Sequence, residues 1–350
     1  ELHRPGLEPE TRPTPDLEWE RNKMLDIGLD FGFLKGRIHG TIDYYDSKSY
    51  DLLYLKVLPY TSGFNRAWTN IGDTRNRGWE VSLSTVPVET KDFHLGVNLS
   101  YYRNKEELVR LQDPKMKEDI NNGLFVGYPV NGVHYNYKQV GIWQENEADL
   151  AAIYGQKPGE VKVADLDGNG KIDGNDKTYF GYSQRPDYVL GLLGGFRYKN
   201  FEISMQWTAG LHASRMLSGE YRNAFGSTNG RALLKFLADG RWTPENPDAR
   251  FPRLTFLNKS HYLEDSDLWL MDGSYLRLKV AEIGYTFRDI PAFRKVGVKS
   301  LKVYFSGYNL LTLFSELNDI DIDPEGATSG SNIDSYPNVR IFNFGVNITF

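Results

Sequence analysis

Polar and apolar residues alternate along much of this chain. Within 24–33, Leu25, Ile27, Leu29, Phe31 and Phe33 are separated by Asp26, Gly28, Asp30 and Gly32. A period of two places every second side chain on one face, so the stretch predicts a strand with one apolar side. After Lys35-Gly36, Ile38, Ile42 and Tyr44 alternate with His39, Thr41 and Asp43, giving the second arm of a hairpin. Trp79, Val81 and Leu83 mark a third strand. Past a turn at 87–92, Phe93, Leu95, Val97, Leu99 and Tyr101 mark a fourth. Tyr188, Leu190, Leu192, Phe196 and Tyr198 predict the fifth, and Phe201, Ile203, Met205 and Trp207 the sixth. Residues 274–287 form the seventh, and a phase slip near Val280-Ala281 predicts a bulge. Residues 301–310 form the eighth. In the ninth, Phe342, Phe344, Val346, Ile348 and Phe350 face away from Asn343, Gly345, Asn347 and Thr349.

A soluble β-sandwich also alternates, but two features separate this chain from one. The polar face is rich in Gly, Asn, Ser and Thr, and the apolar face carries aromatics near strand ends. That is the dress of a transmembrane barrel: lipid outside, water inside, aromatic girdles at both interfaces. The connections are also lopsided. Those after strands one, three, five and seven are short, whereas those after two, four, six and eight run 46–77, 103–186, 209–273 and 311–337. Long loops on one rim and tight turns on the other fit an outer-membrane barrel and are uncommon in a compact soluble domain. With the Phe350 end periplasmic, the alternation places the first 23 residues in an outside loop. An unpaired strand edge in hydrocarbon leaves backbone groups unsatisfied at several kcal/mol each. The nine segments therefore read as an arc of a larger barrel, either a fragment or one half of a protein nicked in a loop.

Composition narrows the functions. The 350 residues include no cysteine, which excludes disulfides, Cys-ligated zinc and a catalytic thiol. Lys plus Arg number 41 against 46 Asp plus Glu, a net charge of -5 that argues against nucleic acid as a partner. No apolar run is long enough for a membrane-spanning helix, and the first 23 residues contain no apolar core of a signal peptide. His3, His39, His94, His134, His212 and His261 form no HExxH and no i,i+4 pair. Neither G-x-S-x-G nor a P-loop occurs, so no enzyme is expected. Asp26, Asp30, Asp43, Glu80 and Glu202 fall on the polar face and read as a hydrated inner wall.

Several long stretches resemble the SusC/RagA-type TonB-dependent transporters of Bacteroidota. They are TPDLEWE (14–20), the run at 22–53, NIGDTRNRGWEVSLS (70–84), VGYPVNGVHYNYKQVGIWQ (126–144) and DLDGNGKIDGNDK (165–177). RWTPENPDARFPRL (241–254), SYLRLKVAEIGYTF (274–287), YFSGYNLLTLFSELNDIDIDPE (304–325) and the closing YPNVRIFNFGVNITF follow in family order. The resemblance implies an all-β, antiparallel transmembrane β-barrel of about 22 strands, of which residues 1–350 supply a C-terminal portion with long extracellular loops and no plug domain. It implies location in the outer membrane among its lipids and import of a nutrient, with oligosaccharide the leading cargo and oligopeptide the rival. It also implies a SusD-like surface lipoprotein as partner, the TonB complex acting through a plug outside this chain, the rest of the barrel, and a dimer of such transporter–lipoprotein pairs. Terminal Phe350 resembles the signal read by the barrel-assembly machinery. A scaffold subunit of a larger outer-membrane assembly and a secreted calcium-dependent sugar-binding or sugar-cleaving β-domain are the remaining alternatives.

One motif carries its own chemistry. Asp165, Asp167, Asn169, Lys171, Asp173 and Asp176 stand at positions 1, 3, 5, 7, 9 and 12 of an EF-hand-like loop, with Gly170 at the sharp turn. Oxygen donors at that spacing converge on one point and suit calcium in a structural role, with Lys171 lending only its carbonyl. Asp176 replaces the usual glutamate and reaches less far. The competing reading is a metal-free turn held by aspartates and glycines. Trp68, Trp143, Trp242, Trp269, Tyr128, Tyr135 and Tyr137 lie in or beside the long loops. Loop packing accounts for most of them more simply than ligand stacking, and Trp242 in particular reads as scaffold.

Overall fold

The computed structural model describes residues 11–120, 123–130, 132–217, 234–254, 266–288, 290–295, 297–326 and 338–350. Nine long strands follow one another: β1 (Arg21–Phe33), β2 (Ile38–Tyr50), β3 (Gly72–Glu89), β4 (Phe93–Leu111), β5 (Tyr188–Tyr198), β6 (Phe201–Leu211), β7 (Tyr275–Arg288), β8 (Ser300–Leu313) and β9 (Ile341–Thr349). They form a single nine-stranded sheet in sequence order. Every neighbouring pair is antiparallel.

The pairing register sorts the two faces. Leu29, Ile42, Val81, Tyr101, Leu190, Ala209, Leu276 and Leu313 form one row across eight strands. The adjacent row is Asp30, Thr41, Ser82, Ser100, Gly191, Thr208, Arg277 and Thr312. Directly paired side chains share a face, so a row of hydrocarbon backs onto a row of hydrogen-bonding groups. The apolar side is uncovered: Leu29 is 59% exposed and Phe344 73%. Such exposure along a whole sheet face is intolerable in water and ordinary in lipid. On the polar side, Thr41 and Ser82 share a hydrogen bond of 2.8 Å, and Arg277 donates to Thr312 at 3.1 Å.

Aromatics mark both borders of the apolar band. Toward the long loops, the Tyr44 and Trp79 rings meet at 4.9 Å and Arg103 lies over Tyr188. Toward the short turns, Phe93 stacks near Phe196, and Tyr285 meets Phe287 edge-on at 4.8 Å. On β5 the borders fall at Tyr188 and Tyr198, about 33 Å apart at ~3.3 Å per residue. A tilt of about 40° reduces this to about 25 Å of membrane depth, the height of an outer-membrane apolar band.

The bulge predicted near Val280-Ala281 lies one residue earlier, at Lys279, between the paired positions Leu278 and Val280. The extra residue reverses the phase, so Glu282 and Gly284 join the polar face while Ile283 and Tyr285 stay in the apolar one. Several strands outrun their predicted ends, β1 starting at Arg21 and β6 running to Leu211. β2 reaches Tyr50, β3 begins at Gly72, β4 reaches Leu111 and β8 reaches Leu313. The long connections are accordingly 51–71, 112–187, 212–274 and 314–340. They are also more ordered than expected, holding ribbons such as Leu53–Val57 with Arg66–Asn70 and Ser214–Met216 with Leu270–Asp272. At the start of β3, Gly72 has φ +132, and a Cβ there would sit 1.8 Å from the Arg110 carbonyl oxygen. Only glycine lets the two backbones close at that irregular register.

The hydrophobic core belongs to the loops and not to the wall. Tyr137, Val161, Val163, Leu217, Leu237, Phe251, Leu268, Trp269, Met271 and Leu317 pack into one buried cluster drawn from three of the four long connections. A smaller cluster of Ile71, Leu108, Leu111 and Leu124 ties the extended ends of β3 and β4 to the loop between β4 and β5. The loops therefore form a packed cap on one rim.

Candidate functional site

The cap contains the acidic motif. Within 112–187, His134–Tyr137 pairs with Lys177–Phe180, and Gln139–Ile142 pairs with Val161–Val163. The motif bridges Val163 and Lys177, so strands flank it where an EF-hand has helices. One oxygen each from Asp165, Asp167 and Asp176 lies within 4.8 Å of the others. Asp176 is fully buried and accepts from the Leu166 N–H at 2.8 Å and the Asp173 N–H at 2.7 Å. Asp165 is partly buried, which works against its charge. The N–H groups of Gly170 and Gly168, the Tyr154 hydroxyl and the Asn169 N–H outweigh this and hold its carboxyl below the ordinary range.

The other three motif residues are placed differently. Asp173 turns away and accepts the Asn175 N–H at 2.8 Å. Asn169 donates to Asp167 at 2.9 Å and accepts from the Lys171 N–H at 2.8 Å. The structure thus gathers Asp165, Asp167 and Asp176, three hard oxygen donors on one point, and that donor set suits a cation such as calcium.

The loop aromatics divide by burial. Trp143, Trp242, Trp269 and Tyr137 are buried, and Trp68 and Tyr128 are exposed. Trp143 donates to Gln156 at 2.7 Å and Trp242 to Gln144 at 3.1 Å, so both of these indole N–H groups are satisfied. These are scaffold residues, as expected for Trp242.

A charge network closes the cap onto the wall. Arg277, on the polar face of β7, is 3% exposed. It lies between Asp323 at 2.7 Å and Glu325 at 2.6 Å. Lys279 reaches Glu325 at 2.8 Å, and the Tyr275 hydroxyl donates to the same carboxylate at 3.0 Å. Arg215 donates to the Pro324 carbonyl at 2.7 Å. Residues 321–326 are thereby fastened inward over the end of the polar face. Burial pushes the Asp323 carboxyl up. Arg277 and the N–H groups of Glu325 and Asn338 more than offset it, leaving the carboxyl below its usual range. No motif in the sequence marks these residues as a pair or network. The usable signal was Arg277 at a polar-face position in one long motif and paired acids closing another.

Farther down the polar face, Lys302 bridges Glu202 at 3.0 Å and Glu282 at 2.9 Å. Asp43 and Glu80 are direct partners in the register, and Asp26 and Asp30 share their face. The inner-wall residues therefore line one hydrated surface. A cavity of about 450 Å³ opens at the rim where β4 runs on beyond β5.

An apolar outer face, a polar inner face, two aromatic borders and a packed cap define a segment of an outer-membrane β-barrel. The chain belongs to the TonB-dependent receptor-like β-barrel family, whose model matches residues 4–310. That is a family of transporters and not of enzymes, and its barrels reside in the outer membrane. TonB-dependent receptor P3 of Formosa agariphila is 31% identical over 96% of this chain and 34% of its own length. TonB-dependent receptor SusC of Bacteroides thetaiotaomicron is 30% identical over 96% of this chain and 32% of its own. The chain thus spans about a third of these relatives. Among solved structures, the RagAB peptide transporter matches with a TM-score of 0.75 at 22% identity, over 99% of this chain and 37% of that one. That similarity establishes the shared fold.

Proposed function

We propose that residues 1–350 form the C-terminal part of the barrel of a nutrient importer, the plug lying in another part of the protein. The observation that carries this reading is the continuous polar face, capped on one rim by folded loops and backed throughout by lipid-facing residues. Such a wall holds a wet conduit within an apolar membrane. The cargo is an oligosaccharide. It enters beneath a SusD-like lipoprotein seated on the loops, and the TonB complex supplies energy through the plug. Two such transporter–lipoprotein pairs form a dimer. The charged and hydroxylated inner wall supports a polar cargo, and the resemblance to the SusC/RagA family supports the lipoprotein.

Oligopeptide import is the second reading, favoured by the fold shared with the RagAB peptide transporter. Calcium at Asp165, Asp167 and Asp176 would pin the acidic turn to Tyr154 and the ribbon at Val161–Val163, a structural role. Supporting it are the three convergent carboxylates, each already oriented by backbone N–H groups.

Two experiments test the proposal. Mild-detergent purification of the full-length protein, with mass spectrometry of every chain, should yield a co-purifying lipoprotein. A deletion strain should lose growth on an oligosaccharide that the parent uses; a protein that purifies alone, together with unchanged growth of the deletion strain, would count against import. For the cation, calorimetry should detect calcium binding that the Asp165→Ala/Asp167→Ala pair abolishes. Equal heats from both proteins would remove the metal.

A further inference from the structure

The rim cavity lies where β4 has outrun β5 and residues 127–129, 132–134 and 179–187 close around the gap. Its volume, about 450 Å³, falls in the ~300–1,000 Å³ range of small-ligand clefts. Tyr102, Tyr128 and Tyr182 each keep more than a third of their surface exposed there. Two of these rings are backed by a second ring. Tyr128 stacks on Tyr179 at 4.2 Å and 16°, and Tyr182 lies against His212. Flat faces held this way need little ordering when a ligand arrives.

The polar lining points to the ligand's charge. Lys105 and Arg185 stand against Glu106 and Asp187, so neither sign prevails. His134 also lines the cavity, nine-tenths buried, and its Nε2 has no hydrogen-bond partner among the described residues. Burial favours the neutral imidazole. A buried polar atom without a partner is costly and is normally satisfied by a ligand or a water.

The backbone points to the ligand's shape. An extended peptide is commonly held by adding a strand to a free sheet edge. Here the free end of β4 is already used: the Leu108 N–H donates to the Tyr128 carbonyl at 2.7 Å, and the Gly127 N–H donates to the Leu108 carbonyl at 2.8 Å. Side chains and ring faces are left to do the recognising. We infer that this cavity is a binding subsite for a neutral, polyhydroxylated ring compound, about two linked sugar rings in size. The rings stack on Tyr128 and Tyr182, and hydroxyls bond to Glu106, Arg185 and His134. This inference rests on the import reading and adds to it a located site and a cargo charge.

The test uses the full-length receptor, with any lipoprotein that accompanies it, on an array of neutral di- to tetrasaccharides. The tightest ligand is then titrated by calorimetry. Tyr128→Leu keeps bulk and removes the flat face, and should weaken binding about fivefold to tenfold. Glu106→Gln, which leaves the aromatic packing intact, should weaken it about threefold or more. Both variants should retain the wild-type melting temperature. Array ligands bound equally by wild type and both variants would overturn the subsite, as would no array binding at all. So would retention of a neutral peptide mixture in place of the sugars. Uptake by energised cells is scored separately. Import that persists while the subsite fails leaves the transporter reading standing, whereas loss of all import in the deletion strain's complement overturns that reading itself.

Discussion

Arg277 shows how much one side chain can fasten. It is buried on the polar face of β7 with Asp323 and Glu325 as its ion-pair partners. Removing one member of a buried pair leaves charge unpaired, at a cost of about 3–5 kcal/mol. Arg277→Ala should therefore release residues 321–326, seen as faster amide exchange there and unchanged exchange in β5. The pH dependence follows in sign from Asp323, whose folded carboxyl titrates below its ordinary value. A depressed carboxyl contributes stability that is complete above the unfolded pKa, about 3.9. That contribution is lost as pH falls through the folded value. Protease cleavage within 321–326 should rise as pH drops below about 4 in wild type, and should be pH-independent over that range in Arg277→Ala. In the sequence Arg277 lies inside a long motif with nothing beside it to mark an ion pair. Its partners lie more than forty residues downstream, and no local pattern reports a contact across that distance.

The strands were legible because the membrane enforces period two. Leu25, Ile27 and Leu29 in β1, or Phe342, Phe344 and Val346 in β9, have no packing alternative to lipid, so the alternation survives intact. It fades where the strand leaves the bilayer. In β3 from Gly72 to Gly78 and in β4 beyond Tyr102, both faces meet water or loops and both carry polar residues. Those extensions gave no signal, and the expected ends fell short there. The short ribbons at His134–Tyr137 and Val161–Val163 were hidden for a related reason, since strands this brief show no periodicity.

Substitutions should respect the same division. Leu192 stands in the apolar row with Leu99, Trp207 and Leu278. Leu192→Arg should cost about 2–4 kcal/mol near mid-membrane. Ser100→Lys, one row away on the polar face, should stay within about 0.5 kcal/mol. Urea titrations of the full-length protein refolded into phospholipid vesicles would measure both.

At the scale of the molecule, β1 and β9 are the two borders of an open sheet. A border strand in lipid demands a partner, and a chain spanning about a third of its relatives finds that partner in the rest of the barrel. The cap was the least legible part. Its core takes Val161 and Val163 from one loop, Leu237, Phe251 and Trp269 from another and Leu317 from a third. Each loop alone reads as scattered apolar residues in polar sequence. Only the shared rim brings them together, and the acidic motif and the rim cavity take their shape from that packing. Of the six candidate cation ligands, the fold brings the Asp165, Asp167 and Asp176 carboxylates to one point, while Asp173 instead caps the turn at Gly174–Asp176.

The most direct test exploits the absence of cysteine in these 350 residues. Single cysteines introduced along β5 from Val189 to Arg197 in the full-length protein, spin-labelled in a bilayer, report oxygen and aqueous-quencher access one residue at a time. Positions 190, 192 and 196 should be open to oxygen and closed to the aqueous quencher, with 189, 191, 193 and 197 the reverse. Uniform aqueous access along both faces of β5 would contradict a wall between lipid and water.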